Sequence, residues 1–586
     1  MNKQTLDILK YMIDNKYTNQ RALAEETGFS LGAVNKSLKT LIEQGYLSED
    51  MKLTALAKKE QKAKAPKNAI ILAAGFGMRM VPINTLIPKG LIEVKGELLI
   101  ERIIKQLHEA GVKDIKVVAG FMKERYEYLI DDYGVDLIIN PDYAIKNNIH
   151  TLKLVSKYIS NTYIIPCDIW CASNPFSKTE LYSWYMVSDR QSEESDVRVN
   201  RKNELVSEIS GGNAMIGISY LAGEEAVTVC RKLEEFCKDR RYDDCFWEET
   251  LLDNGKMIVQ AKVVPGEDAV EINTYEQLRE LDYESEHLKS DAIDAISDAL
   301  KCDNRDIKDI TVLKKGMTNR SFLFTVKGEK YIMRIPGEGT ENLINRDEEA
   351  EVFEILSGRG ICDDPVYIKP DKGYKITKFL EGVRTCDPED QDDLKKCMKK
   401  LKAFHDLKLK VSHTFDIFEK IDFYESLMGE KGSDFKDYDK VKANILSLRK
   451  FVDEQPKDWC LTHIDAVPDN FLFYKQEGDK QESLQLTDWE YAGMQDPHVD
   501  IAMFSIYSYY DKSQIDNLMK LYFGKTPDHS IKAKIYCYVA MCGFLWSNWT
   551  EYKGTLGIEF GDYGIKQYRY AKDFYKYALE EMEKIS

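Results

Sequence analysis

Apolar positions near the start of the chain recur every three or four residues. Leu6, Leu9, Met12 and Ile13 mark one face of a first helix. Thr18 or Asn19 stands where a second helix would be capped, and Ser30 where a third would begin and run to about Gln44. Gly28 interrupts between the second and the third. On the third, Val34, Leu38 and Leu41 face one way and Asn35, Lys36 and Lys39 the other. Gly45-Tyr46-Leu47 followed by Met51-Lys52-Leu53-Thr54 suits a small hairpin. The pattern stops in a Lys/Ala-rich stretch ending at Pro66 and Lys67, then resumes with another period. Ala69 to Leu72, Ile115 to Ala119, Val135 to Ile139 and Thr162 to Pro166 are short β-rich runs. They alternate with helical patterns over Leu98 to Ala110 and Met122 to Asp132, which predicts a mainly parallel sheet covered by helices. From about Leu288 the chain is strand-rich at first and then predominantly helical.

These breaks divide the chain into residues 1–62, 67–285 and 288–586, the last with lobes of about 288–382 and 383–586. The predicted fold class is multidomain, α/β and α+β. The first block resembles the winged helix of bacterial regulators, in which the outward face of the third helix meets DNA. That resemblance makes DNA a candidate partner, with a docking or vestigial module as the alternative.

Composition narrows the classes. Hydrophobic residues make up 43% and charged residues 31%, as in soluble globular proteins. No apolar run reaches the roughly 20 residues of a membrane span, and the amphipathic N-terminus carries no secretion signal, so a cytoplasmic location is expected. The net charge of -17 argues against nucleic-acid binding by the whole chain. The twelve cysteines lack a repeated CxxC and suit reduced thiols.

The second block opens on Leu72-Ala73-Ala74-Gly75-Phe76-Gly77-Met78-Arg79, followed by Pro88-Lys89-Gly90-Leu91. A strand runs into a glycine loop over which a nucleotide can lie close to the backbone. Arg79 and Lys89 supply positive charge for a triphosphate. The Walker spacing is absent. LAAGxGxR with PKGL resembles the signature of nucleotide-activating transferases, which join a nucleoside triphosphate to a sugar or alcohol phosphate. The resemblance implies a Rossmann-like nucleotidyltransferase fold and Mg²⁺ held at Asp168, the end of the Ile164-to-Asp168 run. A second acid is expected near Val270-Glu271-Ile272-Asn273. There Asn273 stands in place of an aspartate, so either Asn273 or Glu271 completes the metal position. Asn140-Pro141-Asp142-Tyr143, Asn147-Asn148 and Asp244 to Glu248 resemble the bacterial CTP:phosphocholine cytidylyltransferases. By that resemblance Phe246, Trp247 and Glu248 enclose the quaternary ammonium, since such a cation is recognised by ring faces and carboxylates. Packing of these rings into the core is the alternative. The implied reaction is attack of a phosphocholine oxygen on the α-phosphorus of CTP with loss of pyrophosphate.

The third block carries His463-Ile464-Asp465-Ala466-Val467-Pro468-Asp469-Asn470 and then Asp488-Trp489-Glu490. H-x-D-x-x-x-x-N followed by D-W-E parallels the protein-kinase set. Asp465 orients or accepts a hydroxyl proton, while Asn470 and Asp488 hold Mg²⁺. Upstream, Thr318 and Asn319 lie in a loop suited to covering ATP phosphates. Arg334 takes the strand position that kinases give to lysine, with Glu349 its candidate partner and Glu348 a competitor. GMTN, GTENLINR, HIDAVPDNF, DWEYAGMQDP and the Trp546-Ser547-Asn548-Trp549 region resemble the bacterial choline kinases, within the choline/ethanolamine and aminoglycoside kinase family. That likeness implies a protein-kinase-like fold, with Glu490, Tyr491, Trp546 and Trp549 around choline. Helix packing by the two indoles is the alternative.

A kinase that makes an alcohol phosphate and a transferase that consumes one suggest consecutive steps: choline and ATP give phosphocholine, which CTP converts to CDP-choline. Ethanolamine or another amino alcohol is the alternative substrate. A DNA-binding regulator with enzyme-like sensor domains is the alternative from another class.

Overall fold

The computed structural model describes residues 1–585 except 76, 78–79, 81, 84–86, 286–287, 316–318, 337–343, 430–431, 476–481 and 556–559, and except the side chains of 314–315. The chain forms two compact units, residues 1–294 with 310–312 and residues 295–309 with 313–586.

The first unit begins with α1 (Lys3–Asp14), α2 (Gln20–Thr27), α3 (Leu31–Glu43) and α4 (Ala55–Lys64). Of the two cap candidates, Asn19 starts α2, its side chain accepting from the amides of Arg21 and Ala22. Gly28 ends that helix at φ 71°, a left-handed turn that a Cβ would strain. Ser30 caps α3, and a bridge between Leu47 and Leu53 closes the wing. Asn35, Lys36 and Lys39 are exposed, as the pattern predicts.

This small core is completed by a residue from elsewhere in the chain. Leu181, fully buried, packs with Ile8, Leu9, Leu38 and Leu41. Around it, Lys10 Nζ lies 2.8 Å from Glu180, Tyr182 donates to Asp7, and Lys64 Nζ donates to the Leu181 carbonyl at 2.9 Å. The winged helix and the sheet domain therefore share one body.

That sheet is built on β1 (Asn68–Ala73). It is flanked in parallel by β2 (Asp114–Ala119) and β4 (Thr162–Pro166), with β3 (Asp136–Ile139) outside β2. Beyond β4 the order continues through β7 (Gly212–Leu221), β6 (Trp184–Ser192) and β8 (Lys256–Val264). β7 runs antiparallel to both neighbours and β8 parallel to β6. A two-stranded ladder of β5 (Ile169–Cys171) and β9 (Ala269–Glu271) stands apart. The helix Leu99–Glu109 forms as predicted. The pattern over Met122 to Asp132 gives only a short turn and the helix Leu129–Tyr133, because Met122 takes a left-handed φ of 48°.

The second unit has an antiparallel sheet of β10 (Asn319–Val326), β11 (Glu329–Pro336), β12 (Pro365–Lys369) and β13 (Tyr374–Lys378). Helix α5 (Arg346–Leu356) packs beside it. The helical lobe follows, with α6 (Gln391–Asp406), α7 (His498–Tyr507), α8 (His529–Thr555) and α9 (Tyr563–Glu583). Helix α8 is apolar nearly all round because it runs through the centre of the lobe. No helix among the described residues is long and apolar enough to cross a membrane. All twelve cysteines are free thiols.

Candidate active sites

In the first unit the carboxyl end of β1 leads through Ala73 and Ala74 to Gly75 and Gly77. Parallel pairing sets this end level with that of β4: the Cys167 amide donates to the Leu72 carbonyl at 3.1 Å, placing Asp168 one residue beyond. Lys89 Nζ donates to Asp168 Oδ2 and to Asn273 Oδ1, each at 2.8 Å. The stem of Lys89 crosses Gly77, which sits at φ 62°; a Cβ there would lie 2.6 Å from Lys89 Cγ. Glycine is thus required both for the backbone turn and for the lysine's path. Of the two second-acid candidates, Asn273 supplies the oxygen bonded by Lys89. Burial, then the charges of Glu248 and Glu271, raise the Tyr185 phenol far above its usual range. A carboxylate and an amide oxygen gathered on one ammonium are hard oxygen donors of the kind Mg²⁺ takes, so the residues fit that ion. Arg79 lies outside the described residues.

The expected cation box in this unit is divided. Phe246 is 60% exposed, whereas the neighbouring Trp247 is fully buried in the core against Tyr185, with ring centroids 6.2 Å apart. Trp247 opens a tight helical turn, Trp247–Leu251, with its own ring buried and that of the preceding Phe246 exposed. Trp247 thus belongs to the core, and Phe246 presents its ring to solvent. Glu248 accepts from Tyr185 Oη at 3.1 Å and keeps its other oxygen buried without a hydrogen bond. Burial raises its carboxyl to about 7. Such a half-satisfied carboxylate is the chemistry a cationic ligand completes.

In the second unit, Asn470 folds back on the loop it ends. Its Nδ2 donates to the Asp465 carbonyl at 2.8 Å and to Asp465 Oδ2 at 3.0 Å. The Thr487 amide donates to the Asn470 carbonyl at 3.0 Å, which sets Asp488 beside the loop. Ile464 and Asp488 both hold positive φ, 69° and 64°, a strain that clusters at functional sites. Burial, then the charge of Glu490, raises Asp465 to about 7; burial, Glu490 and Asp465 push Asp488 well above the usual carboxylate range. Carboxylates crowded in this way, next to an asparagine, fit a divalent cation.

Arg334 and Glu349 form a bidentate pair, with Nη2 to Oε2 at 2.7 Å. Burial works against ionised Glu349, but Arg334 outweighs it and brings the carboxyl down to about 2. Glu349 rather than Glu348 is the partner. Arg334 Nε is buried without an acceptor, a donor that a phosphate oxygen can take. Asn319 opens β10 and donates to Glu490 at 2.9 Å, while Thr318 lies outside the described residues. Tyr491, Trp546 and Trp549 do come together: centroids are 5.8 Å apart for Tyr491–Trp546 and 5.4 Å for Trp546–Trp549, both near perpendicular. Phe560, 4.9 Å from Trp549, extends the group.

Sequence reasoning missed Asp500. Its two oxygens accept from the amides of Ile464 at 2.7 Å and His463 at 3.0 Å, and His405 Nε2 lies 2.9 Å from it. The one cue was its position four residues beyond Asp496.

Comparison with known proteins finds matches over each of the three blocks. Residues 310–531 match the choline/ethanolamine kinase family, residues 69–202 the MobA-like NTP transferase domain, and residues 1–48 a winged helix-turn-helix DNA-binding model. A choline-phosphate cytidylyltransferase of Streptococcus pneumoniae is 29% identical over 228 residues, spanning 36% of this chain and 96% of the relative. A 2-aminoethylphosphonate cytidylyltransferase of Lancefieldella rimae is 32% identical over 193 residues, spanning 31% of this chain and 78% of the relative. The crystal structure of choline kinase LicA from Streptococcus pneumoniae aligns with a TM-score of 0.42 at 30% identity, covering 48% of this chain and 97% of that one. The chain belongs to the MobA-like NTP transferases through its middle block and matches the choline/ethanolamine kinase model through its last, and so joins a nucleotidyltransferase and a kinase in one polypeptide.

Proposed function

We propose that the kinase phosphorylates choline with ATP and that the transferase joins the resulting phosphocholine to CTP, giving CDP-choline and pyrophosphate. The aromatic group of Tyr491, Trp546 and Trp549 beside the Asp465 loop carries the choice of a quaternary ammonium, since ring faces attract a cation that cannot donate a hydrogen bond. The named cytidylyltransferase relative supports the second step. The name of the 2-aminoethylphosphonate relative keeps a primary amine as the second reading for the transferase.

In the kinase, Asp465 orients the substrate hydroxyl, Arg334 meets the ATP phosphates, and Asn470 and Asp488 would hold Mg²⁺, whose chemistry there would be to neutralise phosphate charge. In the transferase, the Leu72-to-Gly77 turn cradles the nucleotide, and Lys89 moves from Asp168 and Asn273 to the triphosphate. Asp168 and Asn273 would hold Mg²⁺, and Glu248 faces the quaternary ammonium. The division into residues 1–62, 67–285 and 288–586, a cytoplasmic location and DNA as ligand of the exposed α3 face are parts of the same proposal. A gel shift of the full chain on mixed duplexes tests the last.

The test of the two reactions supplies Mg²⁺, ATP and CTP with choline or ethanolamine and follows ADP and pyrophosphate separately. Asp465→Ala abolishes ADP formation and spares pyrophosphate release from added phosphocholine. Asp168→Ala does the reverse. Loss of both reactions in either folded variant refutes two independent sites.

A further inference from the structure

Arg346 is the first residue of α5, directly after the capping Asn345. A cation there faces the positive end of the helix dipole, which disfavours it. Its side chain does not serve the helix alone. Nη1 donates to Glu349 Oε2 at 2.8 Å and lies 3.6 Å from Glu490 Oε2, while Nη2 donates to Asn319 Oδ1 at 2.9 Å. Asn319 in turn donates to the same Glu490 oxygen, closing a ring of three side chains. One guanidinium thus ties the head of β10, the partner of Arg334 and the residue two beyond Asp488.

We infer that Arg346 is a positioning residue for ATP in the kinase site, locking Asn319, Glu349 and Glu490 into one arrangement about the phosphates. Two effects follow from the geometry. Glu490 is held toward Asn319 and Arg346, which offset its charge beside a site that must admit polyphosphate. Glu349 is shared between two guanidiniums, so Arg334 keeps its buried Nε free for an anion. A lysine cannot replace this function, because a single ammonium lacks the planar fork that spans three partners. The inference rests on the kinase reading given above.

Steady-state ADP formation by the full chain, with choline as acceptor, tests it in Arg346→Gln, Arg346→Lys and Arg346→Gln/Glu490→Gln. In Arg346→Gln the KM for ATP rises at least about tenfold, the scale of one charge-assisted bond, while the KM for choline changes less than about twofold. Arg346→Lys recovers only part of the loss. The KM for ATP of the double variant is no higher than that of Arg346→Gln, because both act through one ring. Pyrophosphate release from phosphocholine stays at the unmodified level and reports an intact chain. A normal KM for ATP in Arg346→Gln overturns the inference, as does an equal rise for both substrates with a lowered melting transition. Absence of ADP formation in the unmodified protein would instead refute the kinase reading.

Discussion

The ammonium of Lys10 on α1 lies 2.8 Å from a carboxylate oxygen of Glu180, whose side chain is only 1% exposed. The same carboxylate accepts from Tyr163 Oη at 2.8 Å and Trp184 Nε1 at 3.1 Å, groups on β4 and β6 of the transferase sheet. A charge buried in one domain is thus neutralised by the other, and β4 is the strand that leads to Asp168.

Lys10→Met leaves Glu180 hydrogen-bonded but takes away the ammonium paired with it, leaving the more distant charge of Lys262. Breaking a buried pair from one side costs about 3 kcal/mol, at the low end of the usual range because Lys10 is a quarter exposed. The first thermal unfolding transition falls by several degrees, and Glu180→Gln added to Lys10→Met restores most of it. An unchanged transition in Lys10→Met removes the coupling.

What could be read from the chain follows how far each contact reaches. Asp465, Asn470 and Asp488 were legible because a loop, a turn-back and the next strand set their relation within one stretch. The Gly75–Gly77 turn and Lys89 were legible for the same reason. Arg346 and Asp500 were not, since Asn319 and Glu490 for the one and the His463 and Ile464 amides for the other are brought near only by folding. The docking of α1 was hidden too, because Lys10 meets a residue 170 positions away. Phe246 and Trp247 misled in the opposite sense: neighbours in sequence were expected to share a site, but the turn at Trp247 parts them.

Gly77→Ala tests the path of Lys89. The added methyl would fall 2.6 Å from Lys89 Cγ at a φ of 62°, so either the turn or the lysine must move. Displacing one charged group from an oxyanion-stabilising position costs on the order of 10²-fold in rate. Pyrophosphate release falls by about that factor, and ADP formation is unaffected. Normal transferase rates in Gly77→Ala would separate Lys89 from the chemistry.

Glu248 gives the transferase a pH signature. Its carboxyl is raised by burial to about 7, against an ordinary 4.5. Below about 7 it is mostly neutral and attracts a cation weakly; above, it is charged. The KM for phosphocholine therefore falls as pH rises from about 6 to 8. Stability runs the other way. The folded state holds this proton more tightly, so it loses up to ~3 kcal/mol as pH climbs from 4.5 through 7. Glu248→Gln flattens both trends. A KM profile in the unmodified protein that is flat over this range would exclude Glu248 from cation recognition.

Asp500 sets the kinase loop without touching substrate. It holds the amides of His463 and Ile464 on its two oxygens, and Ile464 stands at φ 69°, a conformation that a branched residue does not keep unaided. Asp500→Ala leaves two buried amides unpaired at about 1–3 kcal/mol each and frees the loop to relax. Because Asp465 is the next residue, the loss falls on turnover: kcat for ADP formation drops by roughly 10² or more, the rate equivalent of that energy, while the KM for choline changes little. Asp500→Asn keeps one acceptor and retains an intermediate rate. The aromatic group around Tyr491 is held by ring packing and by the Trp546 indole donating to Met503, not by Asp500, so choline still quenches the tryptophan fluorescence of Asp500→Ala. Loss of that quenching together with kcat would mean that Asp500 supports the lobe as a whole and not the Asp465 loop.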